Sequence, residues 1–168
     1  MKKLPMTLLA VLFTMVAFCQ NDKLFKHSGE KLEVKVLKVG EWTINYTYPN
    51  ETAEQTISKY AVAKIEYASG RKEDVTEKIV VGAEADWEKV VILEDKSAVV
   101  GLKKLDEIRG KTSGLMSFHT AGSADKKSMK KLKEAAAAQG APFILLTSDK
   151  DNQFTTQSIK KGIAYSYK

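Results

Sequence analysis

The sequence predicts an α+β fold, a small antiparallel β meander or barrel followed by a β-β-α-β-β domain. Three observations lead there. Residues 31–76 hold five short runs with strand character, separated by glycine and proline turns. One later segment, between Ser123 and Gly140, carries sustained helical spacing of apolar side chains. Apolar runs flank that segment at 89–93 and 143–147. The predicted organisation is a signal peptide at 1–19, a β domain at 20–78, a linker at 79–88 and an α+β domain at 89–168.

The chain opens with Lys2 and Lys3, and residues 8–18 are apolar except for Thr14. That is the basic start and short hydrophobic stretch of a secretory signal. A membrane-spanning helix needs roughly 20 apolar residues, and this stretch falls short. Ala17 and Cys19 place small side chains before a cut between Cys19 and Gln20, so the mature chain is expected to begin at Gln20 and to be periplasmic or secreted. The alternative makes Cys19 the acylated first residue of a lipoprotein, with bulky Phe18 where such signals carry a small residue.

From Lys31 the chain alternates, with Leu32, Val34 and Val36 on one strand face against Glu33 and Lys35. Gly40 and Glu41 break the run. Trp42, Ile44, Tyr46 and Tyr48 then alternate with Thr43, Asn45 and Thr47, aromatic and β-branched residues that suit a pleated surface. Pro49 and Asn50 form a turn. A third run lies near 55–58, a fourth at 61–67 with Ile65 and Tyr67 on one face, and a fifth near 72–76.

This stretch resembles a recurring module of small bacterial envelope proteins. A charged turn at Ser28, Gly29 and Glu30 leads the first strand, and residues 56–70 match the "tIsKyaVakIeYasG" block. The resemblance implies an SH3-like or Sm-like β module and carries no catalytic signature, so it speaks to fold rather than activity.

Residues 75–87 lose periodicity, with a helical turn expected at 83–88. Residues 89–93 suit a strand covered on both faces, a second strand runs from 101 to about 112, and 113–123 read as a glycine and serine loop. In the helix, Ser123 is the expected cap, Asp125 suits the positive end of the dipole, and Met129, Leu132 and Ala136 form the apolar stripe. Gly140 and Pro142 end it. Strands follow at 143–147 and 159–167, joined by a polar hairpin turn containing Asp149 and Asp151. A lysine-rich helix ending in Ala135 to Ala141 and running into the strand at 143–148 resembles the YbjQ-like and Rcs-lipoprotein-like envelope domains. That resemblance implies an α+β fold and an envelope location. The Rcs lipoprotein relies on disulfides, and this chain departs from it there.

Cys19 is the single cysteine among 168 residues, so cleavage leaves no thiol and excludes disulfides, thiolate metal sites and cysteine nucleophiles. Hydrophobic residues at 43% and charged residues at 29% describe a globular protein. The net charge of +6 is segregated: residues 20–88 carry thirteen acidic and ten basic side chains, residues 89–168 eight and fifteen. A basic half attracts nucleic acid, anionic lipid or an acidic protein face, and export argues against nucleic acid. Lys126, Lys127, Lys130, Lys131 and Lys133 of the helix are the candidate basic surface.

Little in the sequence carries chemistry. Gly110, Lys111 and Thr112 imitate the end of a phosphate loop, but position 105 is Leu105 where the motif needs glycine. His27 and His119 lack the neighbours a zinc site requires. Asp149 and Asp151 lack the spacing of a calcium loop. The one trio worth naming for hydrolysis is Ser117, or Ser113, with His119 and Asp106. The reading is therefore a non-enzymatic envelope protein, a binding or assembly module for a protein or envelope surface, with no cofactor and no metal. Two alternatives stand beside it: a hydrolase using Ser117, His119 and Asp106, and a peripheral binder of anionic membrane through the helix lysines.

Overall fold

The computed structural model describes residues 21–112, 121–152 and 157–167. The chain is α+β, and its described residues form ten strands in two sheets and one α-helix. The predicted signal, its cleavage bond at Cys19 and Gln20, and Ser113, Ser117 and His119 lie outside the described residues.

The first sheet is antiparallel, with strand order β4-β3-β2-β1-β5-β6. Its strands are β1 (Asp22–Lys26), β2 (Lys31–Val39), β3 (Thr43–Thr47), β4 (Glu54–Ser58), β5 (Val62–Glu66) and β6 (Lys72–Asp74). Sequence periodicity overlooked β1, yet it lies inside the sheet between β2 and β5. Leu24 is fully buried and stands opposite Leu32 on one side and Ile65 on the other. The Asp22 carboxylate accepts bonds from the Val36 and Ala68 amides, both at 2.8 Å, so its two oxygens tie β1 to both flanks.

β2 serves two neighbours in turn. Residues 31–34 pair with β1 and residues 35–39 pair with β3, with a bulge between Val36 and Lys38. The extra residue, Leu37, is thrown outward and stays 47% exposed. The bulge thus explains why the apolar alternation of β2 fails at its C-terminal end.

The second sheet has order β7-β9-β10-β8, with β7 (Val91–Leu93) parallel to β9 (Phe143–Asn152) and the remaining pairs antiparallel. β8 spans Lys103–Lys111 and β10 spans Gln157–Ser166. The helix α1 (Ala121–Ala138) lies against β8 and β10. It begins two residues before the expected Ser123 cap, so Ser123 belongs to its first turn and the loop expected at 113–123 gives way to helix from Ala121. At its other end Gly140 takes a left-handed φ of 66°, and the Gly140 and Ala141 amides donate to the Ala137 and Ala136 carbonyls. This pairing satisfies the last carbonyls of the helix. β9 continues to Asn152, which puts Asp149 and Asp151 on a strand rather than in the expected turn, opposite Lys160 and Ser158 of β10. The ladder with β10 supplies backbone partners that a polar composition alone did not reveal.

The second sheet is covered on both faces. Ile108, Ile144 and Ala164 pack under Leu132 and Ala136 of α1. Phe143, Leu145, Tyr165 and Leu93 point the other way and join Leu24, Val34, Ile44, Ile57 and Ile65 of the first sheet in one core. Alternation of Phe143, Ile144 and Leu145 between the two cores explains the unbroken apolar run of β9. Aromatic contacts reinforce the seam: Phe143 lies between Tyr60 and Tyr167, with ring centroids 5.3 and 5.4 Å away. The Tyr167 hydroxyl accepts the Ile79 amide at 2.9 Å.

Candidate functional site

A cavity of about 420 Å³ opens where the two sheets meet. Trp42 and Tyr60 come from the first half of the chain, and Ile92, Leu93, Glu94, Asp95 and Ala98 from the second. Each is placed by local hydrogen bonding. Trp42 sits in the β2–β3 turn, which the Gly40 amide closes on the Thr43 carbonyl at 2.7 Å, and the Trp42 carbonyl accepts the Lys59 amide at 2.9 Å. Tyr60 lies in a 3-10 turn, Lys59–Ala61, whose Ser58 cap accepts the Tyr60 amide at 3.1 Å. A second 3-10 turn, Lys96–Val99, carries Ala98 and is capped by Asp95, which accepts the Ser97 amide at 2.6 Å.

The two turns are bolted together beneath the cavity. The fully buried Ser58 hydroxyl donates to the Ala98 carbonyl at 2.6 Å, and the Ser58 amide donates to the Val100 carbonyl at 2.8 Å. Gly101, which follows, holds a left-handed φ of 85°, and a Cβ there would lie 2.8 Å from Ile57 Cγ1. This close approach lets the second half of the chain reach the edge of the first sheet.

Glu94 and Asp95 are both exposed. Hydrogen bonds from Ser97, first its hydroxyl and then its amide, hold the Asp95 carboxyl below the usual carboxylate range. Asp95 is therefore an anion at neutral pH, suited to attracting charge rather than to donating a proton. The cavity combines an apolar floor, two aromatic rings and a negative rim, which is a binding chemistry. Sequence reasoning missed it, having assigned Trp42 to a strand face. The available signal was a large ring directly after a glycine turn, with 39% of its surface exposed.

A second polar cluster lies under the N-terminal part of α1. Lys160 is 2% exposed, and its Nζ lies 2.5 Å from Asp125 Oδ1. Beside it the Ser128 and Ser158 hydroxyls are 2.8 Å apart, and Ser128 also donates to the Asp125 carbonyl at 2.8 Å. Thr112 and Ser158 are bonded twice: the Thr112 amide donates to the Ser158 carbonyl at 3.1 Å, and the Ser158 amide donates to the Thr112 side-chain Oγ1 at 3.0 Å. The cluster fastens helix to sheet.

Of the hydrolase trio, Asp106 is described, exposed on β8. Gly110 and Lys111 end β8, Thr112 follows it, and Gly110 faces α1 so closely that a Cβ would meet the Ser128 carbonyl at 2.0 Å. The His27 ring packs at a tilt against Tyr167, centroids 5.0 Å apart, and shares a 3.0 Å hydrogen bond with Thr76. Burial, then the Lys78 charge, lowers its pKa from 6.5.

Of the helix lysines, Lys126, Lys127, Lys130 and Lys131 are exposed and Lys133 is half-buried. Lys130 pairs with Glu134 at 3.7 Å and lies 5.0 Å from the Trp87 ring centroid. Lys131 donates to the Lys111 carbonyl at 3.2 Å. Among the described residues no group of His, Cys, Asp and Glu could hold a metal, and no helix is long and apolar enough to cross a membrane. No protein-family model, curated protein or solved structure matches the chain.

Proposed function

We propose that this chain is an exported envelope protein acting as a binding or assembly module, without catalysis, and that it holds a partner at the Trp42 and Tyr60 cavity. The observation carrying this reading is the cavity itself: about 420 Å³, with an apolar floor and an exposed tryptophan, at the join of the two sheets. Its size lies within the range of ordinary ligand sites. Exposed tryptophan is also the residue type most often found to dominate interface energetics. The second half is read as a β-β-α-β-β unit of the envelope type, with the parallel β7 edge delivering Glu94 and Asp95 to the rim.

Site-directed photo-crosslinking in the cells of origin tests the reading. A crosslinking residue at Glu94 should give a discrete adduct that Trp42→Ala abolishes while the circular dichroism of the purified variant stays unchanged. Adducts that survive Trp42→Ala, or that form equally from an exposed position such as Lys72 on β6, would overturn it. Intact mass tests export in parallel: a chain starting at Gln20 agrees with a soluble exported protein, and one starting at acylated Cys19 makes it a tethered module.

A further inference from the structure

We infer that the cavity's occupant is a cation on an apolar stem, the ammonium or guanidinium of a lysine or arginine side chain presented by a partner polypeptide. This rests on the reading of the cavity as the binding site. The argument begins with the rim. Glu94 and Asp95 both line the cavity, and the Ser97 hydrogen bonds favour the ionised form of Asp95. Among the described residues that line the cavity there is no lysine or arginine.

The aromatic wall points the same way. A cation within about 6 Å of an aromatic face is attracted by the ring quadrupole, and tryptophan is the strongest such partner. Four other rings of this chain already hold a cation: Phe25 under Lys64, Tyr67 under Arg71, Tyr167 under Lys78 and Trp87 under Lys130. Among the described residues Trp42 holds none, although it is more than a third exposed and lines the same cavity as Glu94 and Asp95. The floor of Ile92, Leu93 and Ala98 supplies the apolar contact that the methylenes of a lysine or arginine stem use. The cavity is open rather than enclosed, so a side chain attached to a backbone can enter while that backbone remains outside.

Tryptophan fluorescence tests this on the full mature chain in a Trp87→Phe background, leaving Trp42 as the reporter. The probes are the blocked tripeptide Ac-Ala-Lys-Ala-amide, its arginine counterpart, its norleucine isostere and free butylammonium. The lysine and arginine peptides are expected to titrate Trp42 saturably, at least tenfold more tightly than the norleucine peptide and more tightly than butylammonium. Glu94→Gln with Asp95→Asn, which keeps a side chain able to cap the Lys96–Val99 turn, should remove that tenfold preference. Equal binding of the norleucine peptide would overturn the cation and leave the cavity reading standing. Equal binding of butylammonium would overturn the polypeptide source. No response to any probe, with crosslinking at Glu94 also absent, would overturn both readings. A preference that survives the double variant would overturn the role of the carboxylates.

Discussion

Lys160 lies on β10 with only 2% of its side chain exposed, and its ammonium contacts the Asp125 carboxylate of α1 at 2.5 Å. The contact is one of opposite charges rather than an aligned hydrogen bond. It joins a strand to a helix 35 positions earlier in the chain. Lys160 is buried while the Asp125 side chain is 40% exposed, so removing the carboxylate takes one opposite charge from a buried ammonium without burying a charge of its own. Asp125→Asn is therefore expected to lower unfolding free energy by about 1 to 2 kcal/mol. Lys160→Met in the same chain should recover most of that. Urea denaturation of the single and double variants measures both, and a loss under about 0.5 kcal/mol for Asp125→Asn would show that this carboxylate contributes little to holding the buried ammonium.

Glycine substitutions should separate steric from backbone effects. A methyl at Gly110 would press on the Ser128 carbonyl and the Leu132 amide, 2.0 and 2.8 Å away, so α1 must lift from β8. Gly110→Ala should cost about 3 kcal/mol or more. At Gly29 the space is open but φ is 93°, so Gly29→Ala should cost only about 1 kcal/mol through the left-handed backbone. Equal losses in thermal melts would contradict the helix placement.

Asp22 makes its own demand on the first sheet. Its oxygens accept the Val36 and Ala68 amides, and Asp22→Ala should cost about 2 kcal/mol because bonds to an ionised acceptor exceed neutral ones. Amide exchange gives the sharper readout, since Val36 and Ala68 should lose protection while the β9 and β10 ladder keeps it.

His27 sets a pH dependence. Burial and the Lys78 charge depress its folded pKa below 6.5, so the unfolded chain takes up the proton first as pH falls. The stability His27 contributes is fully present above the unfolded pKa and is lost as pH falls through the folded one. Melting temperature should therefore drop from pH 7.5 toward 5, and His27→Gln should flatten that part of the slope. An unchanged slope would assign the effect to other groups.

Legibility in the sequence varied with how much of an element's burial was local. The alternation of Leu32, Val34 and Val36 and the spacing of Leu132 and Ala136 record one buried face each, and periodicity exposes such faces directly. β1 escaped because residues 22–26 hold only Leu24 and Phe25 as apolar residues, too few for a period. Its place inside the sheet comes from pairing with β2 and β5, which are distant in the chain. Ser123 lies inside the helix rather than capping it, because the helical backbone already includes Ala121 and Gly122.

The candidate site was less legible still. Trp42, Tyr60, Glu94 and Asp95 come from three turns and a strand end, and none forms a motif with its neighbours in sequence. Lys160 offered a faint sign, as it falls in phase with Ser158 and Ala164 on the helix-facing side of β10, where a small or apolar residue is expected.

The amino-acid sequence by itself determined the α+β class, the run of strands, the helix and its glycine stop, and the confinement of cysteine to position 19. Those properties follow from local periodicity, turn chemistry and composition. Tertiary structure alone decided that the two sheets share a core, that Lys160 meets Asp125, and that two capped turns enclose an aromatic and acidic cavity. Each of these depends on contacts between residues tens of positions apart, whose free energy arises only when water is excluded between surfaces that the sequence lists separately.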